Sequence, residues 1–578
     1  MKKKPPKNSP IPADSAPAKA DLWRDIKLGS WIWIGVAAFV AAFVVYSQAL
    51  SAPFVFDDQV SVFLDPNASK IPLAGWIGVT RPLTNLSFWV NYRLGGTESS
   101  GYHWLNLLLH LASSVFVTLI VRSVLALNGT MGVKRDTLAA FGGLVFLLHP
   151  LQTEAVTYVS SRSEVLAVCL LWAAFAHFLY RKRQSASWYD AVVILSLFGL
   201  ACLSKEYSIV FPALLLLADY YWNPGFTLAG IRTNWRLYGL VAAVAVAGGA
   251  IILKVLAQAN TAGFNLAGLS VKDYFLTQCR VIWIYVFKFL IPVGQSIDYD
   301  LSTTRSLGDP AAIAGLIGLI AATVAAAIYR KRYPLASFGW IVFLILLAPT
   351  SSFLPIRDVI AERRVYLPSL ALLLIAVEFL RRVKWTLATQ AVLLVIVLGF
   401  AFLTSQRNNV WSSPENLWRD AVAKAPDKSR PHFQLGRVLY GTGHFDTAVV
   451  EYDAAARTGG LDYTLLLNWG LALDDAGRPR EAVEKLTQAA QLQPTAHIFS
   501  QIARVYGRSN QNDKALEALA RVQQIDSNFE MGYVYRGNIY LNQGDPAKAV
   551  AEYNHALSIN PNNAPALEGL RLAAQNRR

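Results

Sequence analysis

Two adjacent carboxylates, Asp57 and Asp58, lie in the segment FVFDDQV just beyond the first long apolar run of the chain. Three further clusters set ionisable groups beside apolar runs. They are His149, Glu154, Arg162 and Glu164 in HPLQTEAVTYVSSRSE, Lys205 and Glu206 in CLSKEYS, and Arg357, Glu362, Arg363 and Arg364 in RDVIAERRVYLPS. Ionisable side chains at membrane depth are costly unless they pair or line a wet cavity, which makes each cluster a functional candidate. Adjacent side chains of an extended segment point to opposite sides. One aspartate is therefore expected to enter a cavity while the other orients it or binds backbone, with Asp58 slightly preferred as the catalytic group. Any one cluster alone also reads as an ion pair at a helix end.

Carboxylates and cations at the rim of a helical bundle suit glycosyl transfer from a polyprenyl-phosphate sugar. The lipid tail stays in the bilayer while the head presents phosphate and anomeric carbon at the surface. A carboxylate takes the proton of an incoming hydroxyl as that oxygen attacks the anomeric carbon. Arg and Lys hold the phosphate and stabilise the charge that grows on it as it leaves. Phosphate departs readily as an anion, so no strong general acid is needed. No metal-ligand spacing demands a divalent ion, and metal dependence is left open.

The elements that must position these groups are membrane helices. Hydrophobic residues make up 54% of the 578 and charged residues only 16%, far from the quarter charged of a soluble domain. Apolar runs at 31–50, 103–126, 138–156, 164–180, 190–204, 207–222, 237–256, 311–329, 335–350, 366–380 and 385–404 give about eleven spans, each near the length that crosses hydrocarbon as a helix. With the Lys-rich N-terminus in the cytoplasm, every Lys/Arg cluster between runs falls on the cytoplasmic side. That holds only if 274–292, which contains Arg280 and Lys288, lies along the interface instead of crossing. All four ionisable clusters, and everything after residue 404, then emerge on the opposite face. Residues 1–30 read as a disordered cytoplasmic tail, 31–404 as the membrane domain with its first external loop at 51–102, and 405–578 as an external soluble domain. The net charge of +15 sits mostly in the topology clusters, so nucleic-acid binding is not expected.

The soluble part repeats. Ala448, Ala482, Ala515 and Ala549 recur at spacings of 34, 33 and 34, each at the start of a second helix. Gly436, Gly470 and Gly537 are small residues where paired helices must touch. This is the tetratricopeptide pattern of an α-solenoid, with four full repeats expected from 430 to 564 and 414–426 as part of an incomplete one. Such arrays hold peptides or protein partners, or serve as structural caps. The three cysteines have no metal-ligand spacing.

In their order, FVFDDQ, RPLTNLSFWVNYRLGGTESSGYHWLNLLLHL, HPLQTEAVTYVSSRSEVLA, LSKEY and AERRVYLPS, followed by tetratricopeptide repeats, resemble the TMTC (transmembrane and tetratricopeptide repeat-containing) O-mannosyltransferases. The resemblance implies an all-α GT-C glycosyltransferase fold, catalytic carboxylates in the first external loop and a lipid-linked donor. Carried over, the paired acids are Asp57 and Asp58, the HP..TE motif is His149, Pro150 and Glu154, and the Lys-Glu pair is Lys205-Glu206. The AER..YLPS motif contributes Glu362, Arg363, Tyr366 and Pro368. Arg81, at the head of RPLTNLSFWV, joins Arg162 and Arg364 among the substrate-binding candidates. The repeat array is shorter than in animal members, and the tail and compact loops look bacterial. That points to an inner-membrane protein facing the periplasm, with an undecaprenyl-phosphate rather than dolichyl-phosphate sugar as donor.

The leading expectation is an inverting transferase acting on Ser/Thr hydroxyls of proteins recruited by the repeats. Two alternatives stand beside it: the same chemistry on a lipid or envelope glycan, and a non-catalytic membrane anchor presenting a repeat scaffold.

Overall fold

In a computed structural model the chain is described over residues 28–78, 80–181, 185–258, 262–264, 266 and 268–575. The expected tail therefore lies outside the described residues, apart from Leu28–Ser30, which open the first helix. Among the described residues there is no strand, only one isolated bridge between Ala262 and Ile356. The chain divides into two compact units, Met1–Asn416 and Leu417–Arg578.

The first unit is built on α1 (Leu28–Tyr46), α2 (Pro82–Gly95), α3 (Ser99–Leu127), α4 (Gly132–Leu148), α5 (Arg162–Tyr180), α6 (Trp188–Cys202) and α7 (Phe211–Trp222). There follow α8 (Trp235–Gln258), α9 (Val271–Leu290), α10 (Pro310–Ile328), α11 (Pro334–Leu347), α12 (Ser369–Leu380) and α13 (Leu387–Trp411). Among the described residues five segments are long and apolar enough to cross a membrane: Gly29–Tyr46, Ser99–Leu127, Val159–Tyr180, Pro310–Ile328 and Leu387–Trp411. Four shorter apolar helices accompany them at Trp188–Cys202, Trp235–Ala250, Pro334–Leu347 and Ser369–Leu380.

Burial sorts these helices. The α5 segment is 78% buried, whereas that of α10 is only 11% buried. α1, α10 and α13 expose Phe39, Val44, Ile317, Ile320, Val395 and Phe402. An apolar helix with its apolar side chains bared to the outside is a helix whose solvent is lipid. α5 is the axis around which α3, α6 and α7 pack. α3 and α4 approach closely because Gly143 has no Cβ; one placed there would stand 1.9 Å from Thr118 Oγ1. Small residues serve helix contact in membranes for this reason.

Several boundaries differ from those expected. The run at 138–156 ends as a helix at Leu148, because Pro150 disfavours helix in the residue before it and Gln152–Tyr158 fold into single turns. Likewise α12 starts only after Pro368, and α13 runs on to Trp411. In α9, Tyr274 donates to Thr350 O at 2.6 Å, Gln278 to Val359 O at 2.8 Å, and Phe289 O accepts from His149 Nε2 at 2.9 Å. These partners all lie where α11 and α4 end and α12 begins. Both ends of α9 thus meet one end of the bundle, and the helix lies across it.

The second unit stacks helices in pairs: α14 (Pro414–Lys424) leads into α15 (Ser429–Gly441) with α16 (Phe445–Gly459), and α17 (Tyr463–Asp475) with α18 (Pro479–Leu492). Next come α19 (Ala496–Arg508) with α20 (Asn512–Ile525), α21 (Glu530–Asn542) with α22 (Pro546–Ile559), and α23 (Ala564–Gln575). The repeated alanines are fully buried, and a Cβ on Gly537 would stand 2.6 Å from the Tyr553 ring. Gly537→Ala is therefore expected to cost the repeat unit about 1–3 kcal/mol through overpacking. Denaturant titration followed by tryptophan fluorescence checks it.

Candidate functional site

The loop after α1 carries the two aspartates in a short 3-10 turn, Phe56–Val60. Its entry is strained: Phe56 has φ 50°, a conformation that costs a non-glycine residue of order 1 kcal/mol. Arg81 (φ 53°) is another of the four described non-glycine residues with positive φ. Two of the four thus border the aspartates or their cationic neighbours, and strained backbone of this kind clusters at functional sites.

The two carboxylates have different surroundings. Asp58 is 1% exposed. Its Oδ1 accepts from Ser160 N at 2.7 Å and from the Ser160 hydroxyl, and its Oδ2 accepts from Val55 N at 3.2 Å. Asp57 is exposed, and its backbone N–H donates to the Tyr158 hydroxyl at 3.0 Å. The geometry therefore divides the pair: Asp58 ties the turn to the chain before α5, and Asp57 presents a carboxylate outward. Both Asp58 oxygens are thus engaged within the protein, while among the described residues no side-chain partner closes off the Asp57 carboxylate from solvent.

Three cation–carboxylate pairs stand at the same end of the bundle. Arg81 meets Glu206 bidentately at 2.8 and 3.1 Å. Lys205 Nζ lies 2.7 Å from Glu164 Oε1. Arg363 reaches Glu154 through its guanidinium at 2.5 Å and its backbone N–H at 3.0 Å. The side chains of Arg81, Arg363 and Lys205 remain 41%, 26% and 15% exposed, so each can still meet a ligand. The pairs sense one another: burial and the nearby Arg81 push Lys205 below the ordinary lysine range, while Arg363 opposes the charge of Arg81. Burial works against the charge of Arg363 as well, but Glu154, Tyr158 and Glu164 outweigh it and hold the guanidinium firmly protonated. Tyr158 feels Asp57, Asp58 and Arg363 together, which links the cation cluster to the aspartates.

The remaining candidates turn inward. Arg162 is fully buried and spends its donors on Asn106, Asn91, Ser87 and the Tyr102 carbonyl, its guanidinium 4.5 Å above the Phe88 ring. It pins the first external loop to α5. His149 accepts from Leu151 N, meets Phe289 O and stacks on Phe289. Glu362 is buried among Gln295, the Ser296 backbone and the Tyr299 hydroxyl, and burial raises its carboxyl above the ordinary range. Arg364 donates to the carbonyls of Asp358, Thr350 and Val359. Tyr366 is buried against His110, with its hydroxyl 2.8 Å from Nδ1. These five make their contacts within the protein. Sequence reasoning singled out neither Tyr158 nor Ser160, which lie inside a quoted motif but carry no charge to attract notice.

Among the described residues no group of three or more His, Cys, Asp or Glu side chains could hold a metal ion. A cavity of about 760 Å³ opens elsewhere, between α3, α5 and α6, lined by Phe116, His177, Tyr180, Arg181 and Asp190. It lies at the far end of α5 from the aspartates. Its charged groups are already satisfied, His177 by Asp190 at 2.9 Å and Arg181 by Asp219 at 2.7 Å.

Tetratricopeptide-repeat family models match residues 433–497 and 531–563. Protein O-mannosyl-transferase TMTC3 of Mus musculus is 25% identical over 552 residues, covering 84% of this chain and 57% of its own. Protein O-mannosyl-transferase Tmtc3 of Drosophila melanogaster is 25% identical over 556 residues, 80% of this chain and 59% of its own. The chain is thus similar to the TMTC protein O-mannosyl-transferases over most of its length. A shorter stretch of 192 residues, 30% of this chain and 21% of the relative, is 34% identical to Tmtc1 of Drosophila melanogaster. The chain spans less than two thirds of the length of these TMTC relatives.

Burial raises the Asp58 carboxyl from 3.8 to about 6, against the pull of its Ser160 and Val55 hydrogen bonds. Between these values the folded chain keeps a proton that the unfolded chain has released. The contribution of this group is therefore complete below about pH 4 and is lost as pH rises through about 6. Relative to Asp58→Asn, the wild-type chain should lose on the order of 2–3 kcal/mol of stability between about pH 4 and pH 7. Thermal unfolding of both proteins across that range measures it, and a constant difference contradicts the burial account.

Proposed function

We propose that the chain is an inverting glycosyltransferase of GT-C type, moving a sugar from a polyprenyl-phosphate carrier to Ser/Thr hydroxyls of protein acceptors. One observation carries this reading. The exposed Asp57 carboxylate and three accessible cations, each backed by its own carboxylate, meet at one end of a bundle of apolar helices. The likeness to proteins named as TMTC O-mannosyl-transferases supports the sugar-transfer chemistry.

The steps follow from these side chains. The carrier's phosphate is held by Arg81, Lys205 and Arg363, its tail along the lipid-facing helices. Asp57 accepts the acceptor hydroxyl proton as the oxygen bonds to the anomeric carbon. The bond from that carbon to the phosphate oxygen breaks on the opposite face, which inverts the centre, and the electron pair leaves on the phosphate. The cations stabilise that charge in a setting of low dielectric. Glu154, Glu164 and Glu206 keep each cation oriented while the site is empty.

The topology belongs to the same proposal. Counting α4 and α7 with the nine apolar helices gives eleven spans, and α9 lies along the interface. The positive-inside bias then puts the site and the repeats on the non-cytoplasmic side, the periplasm in a bacterial cell. The repeats recruit the protein acceptor.

The test is transfer from a panel of polyprenyl-phosphate hexoses to Ser/Thr peptides by the purified chain, read by mass spectrometry. Asp57→Asn should lower transfer by about 10²–10⁴-fold with its unfolding midpoint unchanged. Full transfer by that variant would remove Asp57 from the chemistry.

A further inference from the structure

The helix α2 in the first external loop is held at both ends by apolar helices. At its start, Leu83 N donates to Leu203 O at 3.1 Å and the Thr84 hydroxyl to Ser204 O at 3.1 Å, which fixes it on the end of α6. At its close, Asn91 donates to Gly101 O at 3.1 Å in the first turn of α3, and Tyr102 to Gly96 O at 3.0 Å. Between these points Arg162, at the start of α5, donates to Ser87 and Asn91. Three apolar helices thus seat α2 across one end of the bundle. The helical period divides its surface. Thr84, Phe88 and Asn91 face inward. Leu86, Trp89, Val90, Arg93 and Leu94 follow the i, i+3, i+4, i+7, i+8 pattern of the opposite face. Val90 is exposed, and Leu94 is 83% exposed. Leu200 and Leu203, at the end of α6 that holds Leu83, are exposed as well, so bared apolar side chains continue from a membrane helix to the start of α2. Arg93 stands 5.7 Å from the Trp89 ring and, among the described residues, meets no carboxylate.

We propose that α2 is a membrane-surface helix that beds Leu86, Val90 and Leu94 among the lipids and sets Arg93 against the headgroup of an anionic phospholipid. The placement rests on the membrane reading of the first unit and is independent of the transfer chemistry. A helix with one apolar face settles in the interface with that face down, and a tryptophan on it sits at headgroup level. The apolar face of α2 has no cover from the rest of its unit, and lipid is the apolar medium that the neighbouring α6 already meets. Arg93 has only a ring for company. An anionic phosphate at the membrane surface supplies the charge it lacks. The consequence is a fixed depth for the loop. The turn bearing Asp57 belongs to the same loop and is bound by Ser160 just before α5, while Arg162 at the start of α5 binds α2. A helix bedded in the headgroups would therefore hold the aspartates level with the head of a lipid-linked ligand.

The test places the full chain in lipid nanodiscs with a bimane label on Leu94→Cys. The native cysteines are buried or half-buried, and the unsubstituted chain supplies the background signal. Phosphatidylcholine spin-labelled at the headgroup or upper chain should quench the label, at a depth of about 5–10 Å into the boundary between headgroups and chains. Iodide in the water should quench it little. Spin-labelled phosphatidylglycerol should associate with the labelled site about fivefold better than spin-labelled phosphatidylcholine, and Arg93→Gln should bring that ratio to about one. A label open to iodide and untouched by spin-labelled lipid would overturn the inference. So would a label shielded from both, which would mean that a protein partner covers the face. Equal association of the two lipids while Arg93 is present would overturn the headgroup assignment. A label on Val395→Cys, exposed on α13, must be quenched by lipid in the same discs. Failure there would count against the membrane reading itself.

Discussion

A charge set against apolar helices has to be neutralised close by, and this constraint governs the end of the bundle where the motifs meet. Taking an ion from water costs several kcal/mol, and only a well-placed partner returns it. Arg81, Lys205 and Arg363 each carry such a partner in Glu206, Glu164 and Glu154. The partners come from distant segments, so the same electrostatics that tolerates the cations also ties the loops after α1, α4, α6 and α11 together. A pair broken on one side would leave the other charge stranded, which costs more than the pair contributes. The cluster is thereby a clasp.

Within that clasp the aspartates divide their labour by burial. Asp58 lies inside and binds backbone; Asp57 lies outside and faces whatever arrives. The αL backbone at Phe56 permits the split, because it turns the chain so that neighbouring carboxylates point to different media. Arg162 anchors the next stretch of loop through Asn106 and Asn91. A guanidinium with its donors engaged inside the protein does mechanical work.

Much of this was legible in the residues alone. The repeat period announced paired helices, and Gly537 meets Tyr553 where a small residue was expected. Charges beside apolar runs announced the clusters, since composition reports what a segment contains. It does not report which way a side chain points. Arg364 and Glu362 neighbour Arg363, yet they turn onto backbone carbonyls and Tyr299 while Arg363 pairs with Glu154. His149 and Tyr366 have the residue types of a site and the surroundings of a core. Tyr158 and Ser160 escaped notice for the opposite reason: neutral hydroxyls stand out only once their partners are known. The helix end at Leu148 was obscured because the turns after Pro150 are themselves rich in apolar residues.

The central claim is that a lipid-linked phosphate sits among Arg81, Lys205 and Arg363 with the sugar's anomeric carbon facing Asp57. Electron cryo-microscopy of the full chain bound to a polyprenyl-phosphate hexose tests it most directly. The account predicts phosphate oxygens within hydrogen-bond distance, about 3 Å, of at least two of those three cations, and the Asp57 carboxylate on the side of the carbon opposite the phosphate. A head group seated at the other end of α5, in the cavity lined by His177 and Asp190, would contradict it.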